Sequence, residues 1–313
     1  MVTGGAGFIG THVVKKLLRL GKEVVILDDF SSGGANTTGN LSRRGVVRMV
    51  RGDVRDHLAM RDALEGVDTV FHLAASVSVS AGEADPQKML DVNSTGTLSV
   101  LEDSLESGVE RFIYASSAAV YGNLRPPIRE SQNPAPISVY GRSKLKGEKH
   151  CLTFYQERGF PVTILRFFNV YGEGQQDSSE SGVITQFARR LSSGMNPIVY
   201  GSGNQTRDFV NVDDVAAACV KVANHGITAG KIYNVGTGKP TSVNELLALE
   251  ARTLGVKRQL KVVHKPARSG EIEESFADTT HLRRDIGFKA KVSLSSGLSR
   301  YSKWYLQRRT TAQ

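Results

Sequence analysis

Apolar residues recur along the first half of the chain in two alternating rhythms. Short apolar runs sit between longer stretches with helical spacing, which is the pattern of strands buried on both faces and of the helices that cover them. Val13, Val14, Leu17 and Leu18 follow helical spacing and stop at Gly21, which predicts a first helix. Strands are predicted over residues 23–27, 46–50, 68–73, 111–115 and 161–167. Helices are predicted over 56–65, 86–107 and 138–158, the second stopped by Gly108. The first strand is expected to be clipped, because Met1-Val2-Thr3 passes straight into glycines. Repeated strand–helix units of this length predict a parallel sheet with helices on both faces.

Beyond residue 168 the rhythm changes. Residues 172–181 are polar and glycine-rich, as a surface loop would be. Short strands over 198–200, 232–235 and 260–264 then alternate with helices over 183–191, 212–224 and 243–254. The expected organisation is a larger domain over 1–168, joined by 207–226, and a smaller α/β lobe over 169–313, with the ligand site in the cleft between them. Nothing resembles an internal repeat or a low-complexity linker.

Composition narrows the class. The chain has 313 residues, of which 40% are hydrophobic and 23% charged, fractions typical of a soluble globular protein. A net charge of +9 raises nucleic acid as a partner. Its basic residues are scattered in pairs such as Lys15-Lys16, Arg43-Arg44 and Arg189-Arg190, so a solvated surface serving phosphate-bearing small ligands is expected instead. Cys151 and Cys219 read as packing residues of a reducing, cytoplasmic compartment rather than as a disulfide or metal site. No apolar run approaches the ~20 residues of a membrane span, and no signal peptide is recognisable, so no membrane association is expected.

Candidate chemistry falls at the predicted strand ends. Gly4-Gly5-Ala6-Gly7-Phe8-Ile9-Gly10 opens the first helix with the spacing Gly-x-x-Gly-x-x-Gly. Glycines let the backbone turn tightly and approach a pyrophosphate, while the helix N-terminus offers free N–H groups. The next strand ends at Asp28, close to the ~20-residue spacing at which a carboxylate meets the adenosine ribose. Asp28 would accept from a 2′-hydroxyl and repel a 2′-phosphate, so NAD is expected in preference to NADP. Asp53 could accept from the adenine amino group. Small residues in His72-Leu73-Ala74-Ala75 would let the backbone pass beneath a cofactor, with His72 hydrogen-bonded locally. Tyr140 and Lys144 lie one turn apart on a predicted helix, so Lys144 is expected to lower the Tyr140 pKa from ~10 toward working pH, as a general base requires. Ser117, closing Tyr114-Ala115-Ser116-Ser117, could share a substrate proton with Tyr140.

The glycine cluster, Asp28, Gly52-Asp53, His72 to Ala75, Ser116-Ser117, Tyr140-x-x-x-Lys144 and Arg166-Phe167-Phe168-Asn169 together resemble the extended short-chain dehydrogenase/reductase family, and within it the nucleotide-sugar 4-epimerases. The resemblance covers the whole chain. It implies a Rossmann-type doubly wound parallel sheet with a smaller C-terminal α/β substrate lobe. It implies NAD held by Gly4, Gly7, Phe8, Ile9, Gly10, Asp28, Asp29, Ser32, Asp53, Val54, Leu73, Ala74, Ala75, Asn93, Tyr140, Lys144 and Phe167, with Phe167 flanking the nicotinamide. Ser117, Tyr140 and Lys144 would be catalytic. A UDP-sugar would meet Ser117, Tyr140, Asn169, Val183, Tyr200, Arg207, Arg268, Glu271 and Ser275. Tyr200 would cover the uracil, Arg207 and Arg268 clamp the phosphates, and Glu271 hold the ribose. A homodimer is implied, through pairing of helices 86–107 and 138–158.

Subfamily choice rests on Ala118 and Ala119, where related 4,6-dehydratases and decarboxylases carry acids. Without a carboxylate there, oxidation and re-reduction at C4 remain, and the implied substrates are UDP-glucose and UDP-galactose. The small Ser275 would leave room for an N-acetyl group, adding UDP-N-acetylglucosamine and UDP-N-acetylgalactosamine. Val77 and Glu271 depart from the residues commonest in such epimerases. A reductase, dehydratase or decarboxylase of the same family stays open, as does a dinucleotide sensor without turnover.

Overall fold

The computed structural model describes residues 1–31, 46–77, 79–178, 181–267 and 270–311. Among them, seven strands form one parallel sheet. In chain order these are β1 (Val2–Thr3), β2 (Val24–Asp28), β3 (Val47–Arg51), β4 (Thr69–His72), β5 (Arg111–Ser117), β6 (Val162–Phe167) and, much later, β11 (Lys231–Val235). Their spatial order is β3-β2-β1-β4-β5-β6-β11, which reverses direction beside β1 as a doubly wound Rossmann-like sheet does. β1 is only two residues long, yet it pairs with both β2 and β4 and is fully buried.

Helices cover both faces. On one, α1 (Phe8–Arg19) packs beside α8 (Val212–Ala223) over Val13, Val14, Ile26, Val215 and Cys219. On the other lie α2 (His57–Leu64), α5 (Gly96–Glu106) and α6 (Val139–Arg158), closing over Met60, Val100, Tyr114 and Cys151. Ser138 caps α6 by accepting from Gly141 N at 3.0 Å, and Gly159 ends it in the left-handed conformation.

The helix expected over 86–107 is not regular. A short α3 (Val79–Ala84) and α4 (Pro86–Leu90) lead into a π-helical turn at Asp91–Thr95 before α5 resumes. In that turn the N–H of Gly96 reaches back to Asp91 O, and Asn93 within it is buried against Ser76 and Ser143. The strand expected over 232–235 was assigned to the smaller lobe, and this is corrected: it is β11, hydrogen-bonded in register along the whole of β6. Its buried apolar residues Tyr233 and Val235 join the core of the large sheet.

The remaining elements are β7 (Asn169–Tyr171), α7 (Val183–Ser192), β8 (Ile198–Tyr200), β9 (Thr206–Arg207), β10 (Phe209–Asn211), β12 (Thr241–Ser242), α9 (Val243–Thr253), β13 (Val263–Lys265), β14 (Glu274–Ser275), α10 (Thr280–Ile286) and α11 (Leu294–Thr311). Three of these helices, α7, α9 and α11, enclose a separate core around Phe187, Leu246 and Tyr301. The strand expected over 260–264 forms at Val263–Lys265, an exposed edge paired with β8. Among the described residues no helix is long and apolar enough to cross a membrane.

Candidate active site

The C-terminal ends of β1 to β6 lie along one edge of the sheet, and the described candidate residues of the cofactor half other than Asn93, Tyr140 and Lys144 stand on one of them or just beyond. Gly4 N donates to Leu27 O at 2.8 Å, folding the turn after β1 onto β2. A side chain at Gly10 would collide with the Gly4 carbonyl, so close packing of α1 on the turn requires the third glycine. Gly7 caps α1 without a side-chain partner and the first turn has no acid, which leaves the N–H groups at Phe8 and Ile9 open to an anion.

Asp28 ties that turn together. Its Oδ2 accepts from Ala6 N at 2.9 Å and its Oδ1 from Phe30 N at 2.8 Å, so the carboxylate is fixed at the mouth of the turn. Asp29 accepts from Ser31 N and Oγ. Ser32 lies outside the described residues. Asp53 is gripped by Arg55 through Nε at 2.9 Å and Nη2 at 2.6 Å, and this hydrogen-bonded pair holds its carboxyl below the usual range. Sequence reasoning missed Arg55, because an Asp-x-Arg spacing carries no pattern of its own. Val54 is buried against Gly96. Thr3 Oγ1 accepts from Leu73 N and Ala74 N, each at 3.2 Å, which brings residues 73–75 alongside Gly4.

Two residues in this half serve the protein's own framework. His72 lies between hydroxyls, with Thr3 Oγ1 at 2.8 Å from Nδ1 and Thr97 Oγ1 at 3.0 Å from Nε2, and burial pushes its pKa down to about 3, so it is neutral. Asn93, expected at the cofactor, donates to Ser76 O at 2.8 Å and to Ser143 Oγ at 2.9 Å, while its Oδ1 accepts from Ser76 N at 2.7 Å. Both amide hydrogens are spent on joining the segment after β4 to the first turns of α6.

Tyr140, Lys144 and Glu148 occupy one face of α6 at successive turns. Tyr140 is half-buried, and Lys144 and Glu148 are fully so. Ser117 closes β5 beside Phe167 of β6, and its Oγ accepts from Ala119 N at 3.1 Å. The expectation that Lys144 lowers the Tyr140 pKa is corrected. Burial pushes the phenol up, and the group acting against it is the Ser117 hydroxyl. The Lys144 ammonium instead lies over the Tyr114 ring, 4.5 Å from its centroid. Burial lowers the Lys144 pKa to about 8, opposed by Cys151 and Glu148.

Behind this face lies a buried network that the sequence did not announce. Arg166 donates from Nε to Glu148 Oε1 at 2.8 Å and from Nη2 to Oε2 at 2.6 Å, and Ser116 Oγ donates to Oε1 at 2.5 Å. Because Ser116 pairs with Arg166 across β5 and β6, the Glu148 carboxylate clamps both strands one residue before Ser117 and Phe167. The Arg166 guanidinium also lies 4.6 Å from the Tyr121 ring centroid. The available signal was an ionisable residue at the third helical turn facing an arginine inside an apolar strand.

On the substrate side, Asn169 opens β7 and donates its N–H to Asp208 O at 3.0 Å. Arg207 in β9 donates to Glu271 Oε1 at 3.2 Å, while Glu271 Oε2 is buried and has no hydrogen-bond donor among the described residues. Ser275 of β14 is buried and stands in register with Arg207, so these three lie together. Val183 begins α7 and Tyr200 ends β8, both partly buried. Arg268 lies outside the described residues. The glycine turn, the open start of α1 and the carboxylate of Asp28 suit a dinucleotide. The buried, donor-free oxygen of Glu271 beside a guanidinium suits a ribose diol next to phosphate.

The model of the NAD dependent epimerase/dehydratase family matches residues 1–236. Over 307 residues the chain is 36% identical to a putative UDP-glucose 4-epimerase of Methanocaldococcus jannaschii, covering 97% of each protein. It is 32% identical over 317 residues to a UDP-N-acetyl-alpha-D-glucosaminuronate decarboxylase of Bacillus cytotoxicus, again covering 97% of each. The crystal structure of a UDP-glucose 4-epimerase from Thermotoga maritima, in complex with UDP-glucose, superposes with a TM-score of 0.91 at 35% identity, covering 100% of this chain and 99% of that one. The chain belongs to the NAD dependent epimerase/dehydratase family of the extended short-chain dehydrogenases/reductases, and its cofactor is NAD.

Proposed function

We propose that the protein inverts C4 of a UDP-hexose. The observation that carries this reading is the opposition of Ser117 to Tyr140 at the end of β5, followed directly by Ala118 and Ala119 where extra acid–base work would need a carboxylate. Bound NAD supplies a hydride acceptor and donor for C4. Tyr140 takes the proton of the C4 hydroxyl and returns it, and Ser117 polarises the same oxygen. Lys144, on the same face of α6 as Tyr140 with its ammonium over the Tyr114 ring, supplies positive charge to that face. Arg207 and Glu271 anchor the diphosphate and ribose, with Arg268 assigned to the phosphates on sequence alone. Firm anchoring there, with the hexose held loosely, lets the 4-keto sugar turn and present its other face. Residues outside the reacting carbon thus provide most of the binding.

Incubation of the protein with UDP-glucose, UDP-N-acetylglucosamine and UDP-glucuronate, with products resolved by chromatography, tests the proposal. The expected products are the C4 epimers of the first two, without net reduction of NAD. The kinship with a decarboxylase favours one other outcome, a pentose product from UDP-glucuronate, and its appearance would replace the epimerase reading.

A further inference from the structure

The buried pair of Glu148 and Arg166 is the middle of a longer polar line that leaves the cofactor half. The Arg166 guanidinium lies against the Tyr121 ring, and Tyr121, itself fully buried, donates its hydroxyl to Asn234 Oδ1 of β11 at 2.6 Å. Asn234 Nδ2 in turn donates to Ile128 O at 2.8 Å and to Asp278 O at 3.3 Å. Ile128 also forms an isolated bridge with Ala277, two residues past Ser275. One line therefore joins Ser116, Glu148, Arg166, Tyr121 and Asn234, with Ser117 beside one end and the segment that carries Ser275 at the other.

Stability alone does not account for the ion pair within it. Desolvation offsets most of the attraction between two buried charges, and apolar residues of similar volume commonly serve a core as well or better. What the pair supplies is direction. Two donors of one guanidinium meet the two oxygens of one carboxylate, which fixes distance and angle together. Ser116 adds β5 to that fork, one residue before Ser117, and Arg166 stands in register with Ser116, one residue before Phe167. Glu148 itself lies two turns beyond Tyr140 on α6. The carboxylate is thus fixed to the Tyr140 phenol through the helix and to the Ser117 hydroxyl through the strand, and that hydroxyl is the group that acts against burial at the phenol. A misplacement of about 1 Å at a reacting centre costs ~10²-fold in rate.

We propose that Glu148 and Arg166 are positioning residues: their fork braces the Ser117 hydroxyl against the Tyr140 phenol and, through Tyr121 and Asn234, holds that pair at a fixed distance from the sugar pocket at Ser275. The proposal rests on Ser117 and Tyr140 as the reacting pair but not on which product forms, so turnover is compared with wild type on whichever UDP-sugar the wild type consumes, and Tyr140→Phe checks the reacting pair separately. Three variants are measured for kcat, KM, NAD affinity by protein fluorescence, and melting temperature. Tyr121→Phe removes one hydroxyl and keeps the ring against Arg166. Ser116→Ala removes the β5 arm of the fork and changes no charge. Glu148→Gln combined with Arg166→Met replaces the pair by uncharged groups of similar volume. Each should lower kcat by about ten- to a hundredfold with KM and NAD affinity within about twofold of wild type. In the double variant kcat should stay low even where the melting temperature returns to that of wild type, whereas a pair that only held the fold would regain both together. Wild-type kcat in the folded double variant would overturn the proposal. Should the double variant fail to fold by circular dichroism, wild-type kcat in both Tyr121→Phe and Ser116→Ala overturns it instead.

Discussion

Burial raises the Tyr140 pKa and the Ser117 hydroxyl acts against that rise, so the phenol's readiness to take a proton depends on single neighbouring atoms. Tyr140→Phe keeps the ring and removes only the proton acceptor. Turnover should fall by roughly 10² to 10⁴, the usual worth of a positioned general base, with NAD binding unchanged by fluorescence. Activity above about a tenth of wild type would remove Tyr140 from that role. Ser275 acts through volume. It is buried in register with Arg207, so an aromatic ring there should overpack the adjoining pocket. Ser275→Tyr should abolish turnover of UDP-N-acetylhexosamines and spare UDP-glucose, read as the ratio of kcat/KM for the two; an unchanged ratio would show that the residue does not gate the sugar. At this scale the sequence was legible where spacing carries meaning, as in the glycine turn and Asp28. It was silent where a partner arrives from a distant segment, as Glu148 does at Arg166 and Asn234 at Tyr121. No local pattern encodes those meetings.

Elements are held in place by buried charge as well as by apolar packing. Glu148 joins α6 to β5 and β6, and although burial is the largest influence against the Arg166 cation, Glu148 together with Tyr121 more than offsets it. Glu148→Gln leaves a buried guanidinium without its counter-ion and should destabilise the fold by about 3–5 kcal/mol in denaturant unfolding. Adding Arg166→Met should restore much of that loss; no restoration would mean that the two residues act separately. In α9 the opposite case occurs. The Glu250 carboxyl is fully buried, both oxygens lack a hydrogen-bond partner among the described residues, and burial raises its pKa well above the ordinary range. A raised folded-state pKa means that stability is complete below the unfolded value near 4.5 and is lost as pH rises above it. Glu250→Gln should therefore stabilise the protein at about pH 8 and change little at about pH 4, by thermal unfolding; equal effects at both would refute the buried-acid account. Helix and strand periodicity was readable because it is local. The π turn at Asp91–Thr95 was not, since it answers to the grip of Asn93 on Ser76, and the place of β11 was not, since an apolar run does not name the strand it will pair with.

At the scale of the whole molecule, the substrate-side segments are stitched to the sheet rather than hung from it. Ile128 donates to Phe276 O at 2.9 Å and accepts from Asp278 N at 2.8 Å, so the stretch between Ser117 and Tyr140 is fastened to the segment that carries Ser275. Leu98 of α5 is partly exposed and Tyr155 of α6 is exposed, whereas Leu105 and Leu152 pack on the core of the sheet. We expect these two helices to pair with their copies about a twofold axis. Light scattering at micromolar concentration should give the mass of a dimer, and a monomer would refute the pairing.

The position of β11 also has a bearing on how the chain is born. Until Lys231–Val235 leaves the ribosome, β6 has no neighbour on its outer side, and a bare edge of Val162–Phe167 is a template for pairing with other chains. At the ~5–20 residues per second of synthesis, the intervening segment keeps that edge open for several seconds. A nascent chain stalled before residue 231 is accordingly expected to need a chaperone, whereas one stalled beyond residue 235 has what it requires to close its own sheet.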